Sequence, residues 1–385
     1  MNNITRLEII FSGNICALNG AANFVRLMDE KSFWKDNGYD LSIVTNCESF
    51  HDEQLYRRTI KYRIRSLFKK ILNITIYGKR QFIKYEFNGL GKSVVNKIVP
   101  MDNTCYLLND YMAAYQFYKR YGKKYKTIFL MHNNGNMLSM VDNDILNDKK
   151  SGRFLRNVEI EILSKADIIV FVSETAKQSF LMKQKTYGNK AVSISIGIKE
   201  RSVVQKRKYD YLKLVTVGTL GDRKNQIAII KAVEKIVLES NMNIELTLVG
   251  DGPKLKEWEE YINKHCLQKY IHIVGAQNNV GKYLDEANVF VMSSLDEGLP
   301  VSAQEAMQSG LPLVLTDVGG CNELIDGNGY LVRSGSVDEL VLAIKRLENN
   351  MESLNQMGER SSMLFKMRYS QKQMLLKYMR LIKEL

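Results

Sequence analysis

The chain is short of several things that would direct a reading elsewhere. No apolar run approaches the ~18 residues a membrane-spanning helix needs, and the N-terminal Met1-Asn2-Asn3-Ile4-Thr5-Arg6 has no charged stretch followed by a long apolar core. Neither a membrane span nor a signal peptide is expected, so the protein is read as cytoplasmic. The five cysteines (16, 47, 105, 266, 321) are odd in number and scattered, without a Cys-x-x-Cys pair. That excludes a disulfide framework or a cysteine zinc site and suits reduced thiols. Internal repeats and low-complexity tracts are missing too. Histidines number only four, so one placed at a strand end stands out.

What is present is an ordinary globular composition over 385 residues, 45% hydrophobic and 25% charged, long enough for two domains. The formal charge is +13, and it is unevenly placed. Between His51 and Lys97 twelve Lys/Arg face three acids (Asp52, Glu53, Glu86). Within that stretch, residues 54–73 carry a helical stripe at Tyr56, Ile60, Ile64, Leu67, Phe68, Ile71 and Leu72, flanked by basic residues. Such a helix either lies on an anionic membrane surface or packs its stripe into the core with a solvated basic face. No nucleic-acid reader motif accompanies the charge, so nucleic acid is not an expected partner.

The first half alternates apolar runs with helical patterns. Strands are expected at 7–11, 41–45, 105–108, 127–131, 168–172 and 191–194, with a loop at 12–20 and a helix over 21–36. Continuous apolar strands between helices indicate a parallel sheet covered on both faces. The polar, basic stretch 197–209 reads as a linker. A second series follows, with strands at 214–217, 245–249, 271–274, 289–292 and 313–315, and helices at 226–240, 254–266, 280–286 and 302–308. The fold class is α/β, with two doubly wound domains: 1–200, and 201–368.

The most informative stretch is Glu297-Gly298-Leu299-Pro300-Val301-Ser302-Ala303-Gln304-Glu305. A glycine loop running into a helix start offers free backbone N–H groups and the positive end of a helix dipole. That suits an anion such as a diphosphate. Glu305, a turn into the helix, is placed to accept hydrogen bonds from a ribose. Glu297 would face whatever lies beyond the phosphates. Val217-Gly218-Thr219-Leu220-Gly221-Asp222-Arg223-Lys224 is a strand, a glycine turn and a basic pair, at the carboxyl end of a strand where open sheets bind ligands. Leu248-Val249-Gly250-Asp251-Gly252-Pro253 is a further strand-to-helix turn. Asp251 there is read as a turn or cap residue.

Glu297-Gly298-Leu299-Pro300 with Glu305-Ala306-Met307, then Gly310-Leu311-Pro312, Thr316-Asp317-Val318-Gly319-Gly320 and Glu323, resembles the donor-site signature of retaining GT-B glycosyltransferases of family 4. The similarity is densest from about Val215 to Val332. It implies two Rossmann-like domains facing a cleft, an acceptor-binding one first and a donor-binding one second, with the last helix, 369–385, returning to the first. It also implies transfer of a hexose from a nucleoside diphosphate sugar to a glycan or lipid-linked acceptor, with retention.

By the resemblance, Lys224 clamps the donor diphosphate. The family's arginine just after the glycine is Thr219 here, and Arg223 is the candidate replacement. Glu297 would hold hydroxyls of the donor sugar. Gly218, Gly250, Gln277, Gly298, Leu299, Pro300 and Glu305 would line the nucleotide. The loop before Gly20 corresponds to a phosphate-side glycine loop, but the usual second glycine is Ala21. His132, past a strand end, would contact the transferred sugar, and Ser173-Glu174 either lines the cleft or caps a helix. No Asp-x-Asp stands at a strand end, so no metal and no cofactor is expected. The implied setting is bacterial surface polysaccharide or glycolipid assembly, with the enzyme at the inner face of the membrane if 54–73 binds it. Two other readings stay open: a non-catalytic glycan-binding relative that assists a partner enzyme, favoured by Thr219 and Ala21, and a sugar-nucleotide epimerase of the same fold.

Overall fold

The structure, a computed structural model, describes residues 4–17, 20–47, 75–132, 135, 143–203, 211–240, 242–348 and 351–385. The basic stretch 54–73 lies outside them. The chain divides into two units, Met1–Ile194 with Leu375–Leu385, and Ser195–Met374.

The first unit is built on a six-stranded parallel sheet: β1 (Arg6–Asn14), β2 (Asp40–Cys47), β3 (Thr104–Leu108), β4 (Lys126–Met131), β5 (Ile168–Phe171) and β6 (Ala191–Ser193), ordered β2-β1-β3-β4-β5-β6. Ile9, Ile10, Leu107, Leu108, Ile128 and Ile169 are fully buried, as strands covered on both faces require. Each fully buried side chain of this kind contributes roughly 1.5–3 kcal/mol. Register follows from matched apolar positions: Leu7 opposite Leu41 and Cys105, Ile9 opposite Ile43 and Leu107.

Two expectations for this unit are corrected. β1 runs on to Asn14 instead of ending at Phe11, because side chains replace the interrupted ladder. Thr45 Oγ1 donates to the Gly13 carbonyl (2.8 Å) and Asn46 Nδ2 to that of Ser12 (2.7 Å). The helix read over 21–36 is two, Gly20–Met28 and Lys31–Asp36. The Met28 carbonyl is drawn out of the helical pattern by the Glu30 N–H (2.8 Å) and the Trp34 indole N–H (2.9 Å). That bond lets a fully buried Trp34 meet its polar requirement.

The second unit repeats the architecture with β7 (Leu212–Val217), β8 (Ile244–Val249), β9 (Ile271–Ile273), β10 (Val289–Met292), β11 (Leu313–Thr316) and β12 (Gly329–Val332), all parallel, ordered β12-β11-β10-β7-β8-β9. Helices 227–239 and 337–348 pack together over one face, around Ile229, Val233, Ile236 and Ile344. Helix 301–308 covers the other with Ala303, Ala306 and Met307 against Phe290, Leu313 and Leu315.

Residues 197–203, read as part of a linker, are packed onto this unit. Ile198 is buried and pairs with Ser370. Arg201 makes a bidentate pair with Asp285 (2.7 and 2.8 Å). The carbonyls of Ile196 and Lys199 accept from Gln304 and Gln308 (2.8 and 3.1 Å). Basic composition suggested exposed chain, but the charge at Arg201 is neutralised by a partner distant in sequence.

Candidate functional site

A doubly wound sheet opens a crevice where successive connections leave in opposite directions, beyond the carboxyl ends of two neighbouring strands. In the second unit that point lies between β7 and β10. The turn after β7 carries Gly218, Arg223 and Lys224, and the loop after β10 carries Glu297 to Pro300. Residues some seventy positions apart are thereby brought into contact. Lys224 Nζ donates to Glu297 Oε1 at 2.6 Å, and Arg223 Nη1 lies 3.7 Å from Glu297 Oε2. Glu297 is 6% exposed, a buried carboxylate between two cations. Arg223 also donates to the Asp296 carbonyl (2.9 Å), while its own carbonyl accepts the Leu295 N–H (2.8 Å). The two loops are stitched together before any ligand arrives.

Close backbone approach makes this turn. Gly250, at φ +152°, sits against the carbonyl of Gly218, which an added Cβ would meet at 1.9 Å. Asn225 adopts the left-handed region (φ 50°), which asparagine tolerates better than most residues. Its carbonyl accepts from Ser293 Oγ (2.8 Å), and that turn delivers Lys224 to Glu297. Sequence reading passed over Asn225 and Ser293. The only local signal was an asparagine placed directly before a helix.

The helix Val301–Gln308 begins with Pro300 at its cap position and has no side-chain cap, so its first N–H groups are open to an anion. Leu299 is nearly buried against the core, and the Gly298 carbonyl accepts the Gly320 N–H (2.7 Å). Glu305 is half-buried, and its backbone carbonyl accepts the Ser309 N–H (3.1 Å). Burial raises its pKa, an effect the charge of Arg201 partly offsets. Gln277 is exposed and its amide returns to the Val274 carbonyl (2.7 Å), leaving backbone groups to face a ligand. Thr219 is exposed, and its carbonyl accepts from Gln226 (3.1 Å). Asp251 holds the Gly252 N–H (2.7 Å), the turn role expected of it.

The first unit has its own switch point, between β1 and β3. Asp110 holds the two sides together, accepting from Ser12 N and Oγ (2.7 and 2.8 Å) and from the N–H groups of Met112 and Ala113 (both 2.9 Å). Gly20, exposed, opens the helix on the other side. His132 follows β4 immediately. Its Nε2 lies 2.9 Å from Oδ1 of Asn109, a fully buried residue, and its ring meets the edge of Phe24 (centroids 5.8 Å apart). Burial lowers its pKa to about 4. Asn109 and Asp110 were missed in the sequence reading because a strand end followed by Asn-Asp is an ordinary turn. Ser173 caps its helix, accepting from Ala176 N (3.1 Å), and Glu174 is held by Lys177 (2.7 Å) and Ser193 (2.5 Å). The cap is observed at Ser173.

Among the described residues no helix is long and apolar enough to cross a membrane.

Residues 198–362 match the family model described as glycosyl transferases, group 1. The chain is 28% identical over 196 residues to the O-antigen biosynthesis glycosyltransferase WbnH of Escherichia coli, covering 51% of this chain and 55% of that one. It is 29% identical over 205 residues to an uncharacterised glycosyltransferase of Methanocaldococcus jannaschii, covering 49% and 50%. The chain spans about half the length of the curated relatives it matches. Among solved structures, HepE of Anabaena in complex with UDP superposes with a TM-score of 0.70 at 13% identity, covering 99% of each chain. That likeness identifies the fold as the two-domain α/β fold of GT-B glycosyltransferases.

Proposed function

We propose that this protein is a retaining glycosyltransferase that moves a hexose from a nucleoside diphosphate sugar to a hydroxyl of a glycan or lipid-linked acceptor, in the assembly of surface polysaccharide or glycolipid. The observation that carries the proposal is the Lys224–Glu297 pair at the switch point of the second unit, beside an uncapped helix start. WbnH is named for O-antigen biosynthesis, and HepE has been solved with UDP and with UDP-glucose, which supports a donor of this class.

The transition state resembles an oxocarbenium ion beside a departing diphosphate, and its main need is stabilisation of the leaving charge. Lys224, Arg223 and the N–H groups at the start of helix 301–308 supply positive potential on that side, so the reaction is read as needing no metal. Glu297, steadied between Lys224 and Arg223, takes hydroxyls of the donor sugar. Glu305 takes the ribose. The departing phosphate accepts the proton of the incoming hydroxyl on the same face, and no covalent sugar–enzyme bond forms. A lipid-linked acceptor would place the reaction at the inner face of the membrane, where the basic stretch 54–73 meets anionic headgroups.

The test is a screen of UDP-, GDP-, ADP- and dTDP-sugars for slow hydrolysis in the presence of EDTA, following nucleoside diphosphate release. One donor should turn over, and Lys224→Met should abolish the release. No turnover, together with no rise in melting temperature with any nucleotide, overturns the proposal.

A further inference from the structure

We infer that Asn109 is a positioning residue that presents His132 as a neutral imidazole with its proton on Nε2, so that Nδ1 is a hydrogen-bond acceptor for a substrate hydroxyl. The identity of that hydroxyl rests on the proposed function; the state of the ring does not.

The argument starts from the amide. Asn109 Nδ2 donates to the Ala21 carbonyl at 3.0 Å, and a carbonyl can only accept. The amide orientation is therefore set, and Oδ1 is the atom facing His132 Nε2 at 2.9 Å. Oδ1 can only accept as well, so Nε2 carries the proton. In a neutral ring the other nitrogen, Nδ1, then bears the lone pair. An asparagine that is completely buried cannot exchange these partners for water without cost. Phe24 closes one side of the ring and is itself packed on Tyr378 (centroids 5.6 Å apart).

Ionisable groups on the neighbouring elements are engaged elsewhere. After β3, Asp110 is taken by Ser12 and the helix start. On the helix after the β1 loop, Arg26 binds the carbonyls of Ile15 and Ala17. After β5, Glu174 is held by Lys177 and Ser193. Tyr378 is buried, and its hydroxyl is pushed well above the ordinary tyrosine range. Among the described residues no carboxylate supports an imidazolium, and burial works against one more strongly than hydrogen bonding at Asn109 favours it. His132 is thus unsuited to neutralising phosphate. It is suited to accepting a hydroxyl proton in a hydrogen bond, orienting a sugar or acceptor alcohol for reaction.

The experiment is a pH titration of the full-length protein with 15N-labelled histidine, reading the long-range proton–nitrogen correlations of the ring, with donor hydrolysis measured in parallel. His132, assigned by its absence in His132→Gln, should stay neutral with the proton on Nε2 from pH 8 to about 5. A proton on Nδ1, or titration at the ordinary value near 6.5, overturns the inference. Asn109→Asp keeps the acceptor but adds the missing negative charge. It should bring the histidine back toward neutral titration and move the acid limb of the hydrolysis profile upward with it. An unchanged limb in a variant that is merely less heat-stable would mean Asn109 only braces the loop. Absence of any donor turnover would count against the proposed function and leave the tautomer result standing.

Discussion

Replacing Lys224 with methionine removes a charge from a contact that is nearly dry, with side chains 15% and 7% exposed for Lys224 and Glu297. At 2.6 Å the gross attraction is about 6 kcal/mol for an effective dielectric near 20. Most of that offsets desolvation. Stranding the remaining partner of a buried pair typically costs about 3–5 kcal/mol. Arg223, 3.7 Å away but 60% exposed, recovers a part, so the low end, about 3 kcal/mol, is expected for the second unit. Activity should suffer separately: losing one donor to a developing oxyanion costs about 10²–10³ in kcat. The decisive construction is Lys224→Met with Glu297→Gln. Removing the stranded carboxylate should restore most of the lost stability, whereas donor hydrolysis should stay at the level of the single variant or below. Urea unfolding followed by fluorescence gives the first quantity and nucleoside diphosphate release the second. If the double variant is as unstable as Lys224→Met, the pair is not the buried contact described. If Lys224→Met retains wild-type hydrolysis, the leaving-group role is wrong.

Glu305→Gln replaces a carboxylate with a weaker acceptor, and should raise the donor KM about 10–100-fold with little change in kcat, the effect of losing a hydrogen bond to a charged group; initial-rate kinetics check it. Gly250→Ala places a methyl 1.9 Å from the Gly218 carbonyl at a φ of +152°, so loss of at least about 4 kcal/mol is expected, read as loss of soluble expression or of the unfolding transition of the second unit. Asp110→Ala uncaps helix 111–121 and strands Ser12, and should cost about 3 kcal/mol, measured by urea unfolding, with hydrolysis reduced in step with any displacement of His132.

Much of this architecture could be read along the chain. Continuous apolar runs such as Ile168–Phe171 and Val289–Met292 signal parallel strands because both faces must be covered, and the order of elements then implies doubly wound units. Gly218, Lys224, Glu297 and Glu305 stood out because turns at strand ends and helix starts have recognisable residues. Boundaries were less legible where side chains substitute for backbone pairing. β1 continues through Ser12–Asn14 on bonds from Thr45 and Asn46, and the 21–36 helix breaks where Trp34 claims the Met28 carbonyl.

The sequence alone determined local preference: which segments extend, which coil, and which residue types wait at their ends. Those follow from short-range sterics and from apolar periodicity, both properties of neighbouring residues. Only the tertiary structure decided that Lys224 meets Glu297, that Asn109 holds His132, and that Arg201 is tied down by Asp285 rather than left free in a linker. Each of these pairs joins residues set at the ends of separate elements. Their charges and lone pairs gain strength only once burial has removed the water between them, and no pattern along the chain records that step.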